Sequence, residues 1–392
     1  MASKVVRFPW DPNQTLSALV RTVVEDLERN LEPILLDGDC PAIGIKDRVD
    51  EVLDLPCMQQ TGGVRWLGLT GMGGIGKTTL AKALHNRLKS DFIQSDVCYV
   101  EDVRDTTSKY GIQQVQQQML KDLCNLSERP VGNMAGKIAL QRKLEGRRKL
   151  LVLDDVGESD WELLPPQDPK RNFLSLSVLG PGSIVIITSR EGGILCAAGC
   201  SLVEVDFLTP ESSQRLFETY AGDIKVPADV VMSVVKACDG LPLSLKVMAG
   251  HLAGKEEQEW HQTLDKLAKG RDFPGQEKLF ASLRISYDNL DSEDKQLFLD
   301  IACLLAASLP RRIGATDIQT LVDKYLLTVD KEGNVRMHDQ LRDLGVSIER
   351  SAMPRTRLWG EDAAHHFPGL TKKSPLQVPD ILAIPFPIPN DK

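Results

Sequence analysis

Residues 64–92 read VRWLGLTGMGGIGKTTLAKALHNRLKSDF. Val64–Thr70 is predicted as a short buried strand. Gly71-Met72-Gly73-Gly74-Ile75-Gly76-Lys77-Thr78 fits Gly-x-x-x-x-Gly-Lys-Ser/Thr without a mismatch. Leu80, Leu84 and Leu88 then recur every four residues, the spacing of one helix face. The motif therefore lies between a strand and a helix, the context a phosphate loop requires. Such a loop needs positive φ and close approach of its N–H groups, and a Cβ would stand in the way. The helix that follows aims its N-terminal dipole at the same anion. Lys77 is placed to reach outer phosphates, and Thr78 to hold Mg²⁺.

The chain has 392 residues, enough for several domains and a sizeable core. Apolar residues make up 42% and charged residues 26%, as in an ordinary globular protein. A net charge of −8 argues against nucleic acid or an anionic membrane as the main partner. The eight cysteines lack zinc spacing and read as reduced, mostly buried thiols of a cytosolic protein. The first residues, MASKVVRFPWDP, lack the apolar core of a signal peptide. The longest apolar run, Ile301 to Leu309, is too short to span a bilayer.

Before the phosphate loop, residues 14–31 carry an amphipathic stripe from Leu16 to Leu31. Residues 41–45 read as a turn into a helix over 46–55. After the loop, a strand is predicted at 96–100, then helices at 112–126 and 135–144. The glutamines around 113–118 read as the exposed face of the first of these.

Lys149-Leu150-Leu151-Val152-Leu153-Asp154-Asp155 is an apolar run ending in two carboxylates. A strand buried on both faces of a parallel sheet reads this way. Ligands bind outside the carboxyl ends of such strands. In nucleotide hydrolases the first carboxylate serves Mg²⁺ and the second can polarise a water, here Asp154 and Asp155. A proline-rich loop follows at 165–170. Residues 182–190 form a further strand ending in Arg190, whose guanidinium could contact a terminal phosphate or simply lie on the surface. A fifth strand is predicted at 202–206. Strands alternating with helices imply a parallel α/β sheet.

From Thr209 the pattern turns helical, with Thr209 as N-cap and Pro210 at the first helical position. Helices are predicted near 210–221, 227–238, 242–252 and 256–268, with Gly240 and Pro242 closing one and opening the next. A linker is placed at 270–275. Helices near 277–287, 292–306, 315–325 and 340–349 flank a hairpin, 326–329 with 334–337, turning at 331–333. That combination suggests a winged helix. The tail from Ser351 holds seven prolines in 42 residues and is expected to be extended.

Together these stretches resemble the NB-ARC nucleotide-binding module of plant intracellular immune receptors. That module belongs to the signal-transducing P-loop ATPases, with apoptotic protease-activating factors as animal relatives. The matching segments, in order, are GMGGIGKTT at 71–79, KLLVLDDV at 149–156, GSIVIITSR at 182–190, CDGLPLSLKV at 238–247, FLDIACLL at 298–305 and MHD at 337–339. FLDIAC and the single glycine after LDDV look closest to receptors with a Toll-like N-terminal domain. Position 157 is Gly, where the two main classes usually carry Asp or Trp.

The resemblance implies a P-loop NTPase with a five-stranded parallel sheet, a helical bundle and a winged helix closing over ADP. The implied organisation is a linker helix at 1–39, the nucleotide-binding domain at 40–208, a helical subdomain at 209–275, a winged helix at 276–350 and a tail at 351–392. Gly71, Gly73, Gly74, Ile75, Gly76, Lys77, Thr78 and Thr79 would form the phosphate loop. Thr78 and Asp154 would serve Mg²⁺, with Asp155 catalytic. Arg190 would sense the outer phosphate. Ile43 and Gly44 would meet adenine through their backbone, and Pro242 would pack on it. His338 would touch the β-phosphate, with Asp339 holding the histidine; taken alone, Asp339 reads as a helix N-cap.

The implied function is a switch in plant defence, closed with ADP and opened by exchange for ATP. Slow ATP hydrolysis at most is implied. Other receptor or signalling proteins are its implied partners, with homo-oligomers in the ATP state, and no nucleic acid or membrane span. The cytoplasm, or the nucleus as well, is its expected place. A truncated receptor, a helper or decoy without repeats, and an excised fragment all fit. PRTRLW at 354–359 resembles the stretch that leads into leucine-rich repeats.

Two other readings compete. One is a sustained ATPase of the ring-forming motor class, which usually follows its metal aspartate with glutamate rather than the shorter Asp155. The other is a DNA-binding regulator using the winged helix. Residues 276–350 hold ten Lys/Arg against thirteen Asp/Glu, and DNA binding needs the opposite balance.

Overall fold

The computed structural model describes residues 35–36, 40–41, 43–60, 62–92, 96–124, 133–164, 178–270, 275–306, 318–329 and 335–351. The expectations for 14–31, 165–170, 331–333, most of the 270–275 linker and the tail beyond 351 lie outside them. The chain divides into two compact units, Met1–Ile43 and Gly44–Lys392. Of the first, the described part is a small antiparallel ladder, Leu35–Leu36 with Cys40–Pro41.

The second unit opens with helix α1, Ile45–Leu53. Strand β1 (Arg65–Thr70) leads through the glycine loop into α2 (Lys77–Leu88). Then come β2 (Val97–Val100), α3 (Val103–Tyr110), α4 (Ile112–Cys124), α5 (Asn133–Leu144) and β3 (Leu150–Leu153). Strand β4 (Ile184–Ser189), the short α6 (Gly192–Ala197) and β5 (Ser201–Glu204) complete the α/β part. The five strands pair in the order β2-β3-β4-β1-β5, all parallel.

Every residue of β3 and β4 is buried, as the apolar runs 150–153 and 184–187 require when helices cover both faces. On one face Val115, Met119 and Leu123 of α4 and Leu140 and Leu144 of α5 join one core with Leu151, Leu153, Val185 and Ile187. The glutamine run belongs to this helix, and Gln113 and Gln114 are exposed as expected. Gln116 is not: it is buried, because it shares the inward stripe with Val115 and Met119.

The order places β4 between β3 and β1. The acidic pair and the glycine loop therefore emerge on either side of Thr188, Ser189 and Arg190, above one carboxyl edge. Among the elements that escaped the sequence pattern are two helices of the α/β part. Helix α3 follows Asp102, held at φ +48°, and buries only Val103, while α6 has only six residues, so neither carries an apolar stripe.

Helices α7 (Pro210–Ala221), α8 (Ala228–Ala237), α9 (Pro242–Leu252) and α10 (Glu257–Lys269) follow. Thr209 caps α7 by accepting a bond from the Ser212 amide at 3.2 Å. Beyond them lie α11 (Gly275–Asp288), α12 (Ser292–Ala306), the short α13 (Gln319–Asp323), the hairpin β6 (Thr328–Val329) with β7 (Val335–Arg336), and α14 (Asp339–Ser351). Phe298, Leu299, Ile301, Ala302 and Cys303 are all buried, so the FLDIAC segment is the inner face of α12.

Helices α12 and α14 cross closely at Gly345, where a Cβ would lie 2.5 Å from that of Ala302. Gly345→Val should therefore destabilise the fold by about 1–3 kcal/mol through overpacking. A thermal melt unchanged by that substitution would contradict the crossing.

Among the described residues no helix is long and apolar enough to cross a membrane, and no His, Cys, Asp and Glu cluster forms a metal site. Among the described residues Cys98, Cys200, Cys238 and Cys303 are buried.

Candidate nucleotide-binding site

The glycine loop takes the shape its sequence predicts. Gly71, Gly74 and Gly76 adopt φ of +144°, +79° and +102°, conformations that L side chains rarely take. Ile75 points inward and is buried, anchoring the loop rather than lining it. The Lys77 ammonium lies under the loop and donates to the carbonyls of Gly71 at 2.7 Å and Met72 at 2.9 Å. Burial, and then the neighbouring Arg190, pull its pKa down to about 8. It is a desolvated cation, with the Asp155 and Asp154 carboxylates opposing the shift.

Asp154 is buried and shares one oxygen, Oδ1, with two hydroxyls. Thr78 donates to it at 3.1 Å and Thr188 at 2.6 Å. Burial raises the Asp154 pKa against those two bonds. The Thr188 hydroxyl also accepts from the Asp155 amide at 2.8 Å. Asp155 is held at φ +52°, unusual for a residue with a Cβ. Its carboxylate stands between two guanidinium groups, Arg190 at 3.5 Å and Arg104 at 3.7 Å. Thr79, half-buried, follows in the first turn of α2.

The helical segments reach the same loop. The Leu243 amide donates to the Gly74 carbonyl at 3.3 Å. A Cβ on Gly74 would lie 2.9 Å from that of Leu243, and one on Gly76 would lie 3.9 Å from Pro242 Cγ. Pro242 thus opens α9 directly against the phosphate loop. Gly44, at φ +69°, sits beside Leu208 and Ser212. Ile43 is buried and belongs to the preceding unit.

The winged helix contributes charge. Arg190 donates to Asp339 and lies 3.6 Å from Asp343. Arg342 pairs with Asp105 at 3.2 Å and Asp339 at 3.0 Å, and Arg336 pairs with Glu101 at 2.8 Å. Asp339 is therefore not the N-cap that its position suggested. Its carboxylate serves two arginines, and the cap is His338, whose Nδ1 accepts from the Gln340 amide at 3.1 Å. That bond fixes a neutral tautomer with the proton on Nε2. His338 is an exposed residue, but the protein crowded around its ring pulls its pKa down to about 4. Asp339 opposes that shift; Arg190, Lys77 and Lys246 add to it. The ring is thus a neutral donor at ordinary pH.

Gln340 has no signal in the sequence. Its side chain is buried, accepts from Gln276 Nε2 at 3.2 Å, and fills the space in which a Cβ on Gly73 would stand. Gly73 keeps an ordinary φ, so its glycine is explained by this close approach instead. Position 157 is explained in the same way: a Cβ there would lie 2.9 Å from Arg104 Nε.

Positive-φ glycines, a buried lysine at a helix N-terminus, and a carboxylate bracketed by two hydroxyls fit a Mg²⁺-bound nucleotide. This fold and site define a P-loop nucleotide-binding protein. Residues 45–226 match the NB-ARC domain, and residues 291–353 match the winged-helix domain of Roq1-like disease resistance proteins. The chain thus carries an NB-ARC domain and a winged-helix domain of the Roq1-like disease-resistance type. It is similar to TMV resistance protein N of Nicotiana glutinosa, 28% identical over 88% of this chain and 31% of that protein. It is also similar to disease resistance protein RUN1 of Vitis rotundifolia, 31% identical over 87% of this chain and 26% of that protein. The chain thus spans less than a third of the length of these relatives. A signal-transduction ATPase with a tetratricopeptide-repeat sensor, from Pyrococcus horikoshii, aligns over 81% of this chain and 44% of its own at 19% identity. Its TM-score is 0.47, too loose a likeness to argue from.

Proposed function

We propose that this chain is the ADP/ATP-operated switch of a plant disease-resistance protein, closed with ADP and opened by exchange for ATP. One observation carries the reading: the winged helix holds the phosphate edge. Gln340 lies on Gly73, and Asp339 holds Arg190, the residue at the end of β4 that an outer phosphate would engage. A phosphate drawing on Arg190 competes with Asp339 for it. The ligand can shift the equilibrium between closed and open forms only by such differential contacts.

Lys77 supplies positive charge to the outer phosphates, and the loop amides with the α2 N-terminus supply the rest. Thr78 and Asp154 hold Mg²⁺, which neutralises phosphate charge when bound. His338 donates from Nε2 to the β-phosphate. Pro242 and the backbone of Gly44 flank adenine. Asp155 orients water, but in the closed form two arginines occupy its carboxylate. That favours slow hydrolysis over the sustained turnover of a ring-forming motor. Other receptor or signalling proteins, and further copies of the chain in the ATP form, are its partners in the cytoplasm or nucleus.

Nucleotide released from the purified protein should be ADP, with slow steady-state turnover. Fast sustained turnover, or no bound nucleotide, would count against the switch. Asp154→Ala should weaken Mg²⁺-dependent binding, whereas Asp155→Ala should chiefly slow hydrolysis. Equal kinetic defects with unchanged metal dependence would contradict that division.

A further inference from the structure

Beyond its contact with Asp155, Arg104 takes no part in the switch proposed above, yet the fold fixes it beside the same carboxylates. It stands in the first turn of α3, straight after β2. Its amide donates to the Asp155 carbonyl and that of Val103 to the Asp154 carbonyl, both at 2.9 Å. Its backbone is thus fixed to the acidic pair.

The side chain contacts Asp155 at 3.7 Å and Glu191 at 3.1 Å. These are charge contacts only. Nε and Nη2 are both buried, and neither finds a hydrogen-bond acceptor among the described residues. Leaving buried donors unmet is costly, more so on a charged group. Arg104 and Arg190 face the two oxygens of one carboxylate, Oδ2 and Oδ1 of Asp155. Paired guanidinium groups around one anion are the geometry of a phosphate subsite. Gly157 supplies the room, since any side chain there would strike Arg104 Nε.

We propose that Arg104 is a second terminal-phosphate residue. With Arg190 it forms a two-guanidinium subsite that Asp155 and Glu191 fill in the closed form and that the terminal phosphate of a nucleoside triphosphate fills on exchange. The inference rests on the nucleotide reading above. It makes Arg104 a discriminator between triphosphate and diphosphate.

The test is to measure dissociation constants for ADP and for Mg²⁺ with a non-hydrolysable ATP analogue. The proteins are wild type, Arg104→Gln, Arg104→Lys and Gly157→Ala, each checked by thermal melt. Arg104→Gln should weaken the analogue by roughly tenfold to a hundredfold, the worth of hydrogen bonds to a charged group, and change ADP far less. Arg104→Lys should recover part of the loss, because an ammonium lacks the planar fork. Gly157→Ala keeps the arginine but displaces it, and should shift the ratio the same way; it carries the test if Arg104→Gln does not fold. If wild type binds both nucleotides and the variants weaken both alike, or neither, the subsite is wrong and the nucleotide reading stands. If wild type binds neither nucleotide, both fall.

Discussion

Lys77→Ala should yield a folded protein that no longer retains nucleotide through gel filtration. The Lys77 ammonium is buried and bonded to two loop carbonyls. Burial disfavours its charged form, so its folded-state pKa, about 8, lies below that of an exposed lysine. The unfolded chain therefore binds more protons between that value and the usual lysine range, and folding stability rises with pH through the window. At neutral pH the charge costs stability, and its removal should leave the melting temperature unchanged or raised. Binding behaves oppositely. Each charge-assisted bond to phosphate is worth about 1.5–3 kcal/mol, so losing one or two weakens affinity by roughly ten to ten-thousandfold. Nucleotide content after gel filtration, beside a thermal melt, reads both effects. A variant that still carries stoichiometric ADP would refute the loop assignment.

Asp339→Val should speed ADP release by roughly tenfold to a hundredfold and raise ATP occupancy. The family resemblance implies a carboxylate that holds His338. The geometry gives a different cause. Asp339 accepts from Arg190 and lies 3.0 Å from Arg342, so it joins the end of β4 to α14. Valine leaves Arg190 with Asp155 at 3.5 Å and Asp343 at 3.6 Å, contacts too long for good hydrogen bonds. The closed form loses about 1.5–3 kcal/mol on that count. Arg190→Gln removes the other half of the pair. If the pair is the latch, the double variant should release ADP little faster than either single one. Additive effects, or an unchanged off-rate in a stably folded Asp339→Val, would assign the two residues separate structural roles.

The parts of the site legible in the sequence are those written within one element. The glycine loop needs its Gly and Lys spacing locally, and the acidic pair closes an apolar run, so both stand out. The helices from 210 to 269 declare themselves by period and caps, as at Thr209. Partners far apart in the chain leave no such mark. Arg190 and Asp339 are 149 residues apart, and nothing local in either predicts the pair. Gly157 departs from the family pattern, and its reason, Arg104 lying against it, is 53 residues away in the chain. Gln340 lies next to a motif but in none, and its contact with Gly73 arises only when α14 packs on the loop. His338 and Asp339 stand out in the sequence, but their division of labour does not. Which of them caps α14 depends on where Arg190 and Arg342 lie.

Hydrogen exchange at the backbone amides of 338–345 and 71–79 tests the central claim most directly, compared between the ADP-bound protein and the protein with Mg²⁺ and a non-hydrolysable ATP analogue. If the winged helix latches the phosphate edge only in the diphosphate form, 338–345 should be protected with ADP. Those amides should exchange markedly faster with the analogue, while 71–79 stays protected by ligand in both. Equal protection of 338–345 in the two states would mean that the winged helix does not move with the nucleotide, and the switch account would fail.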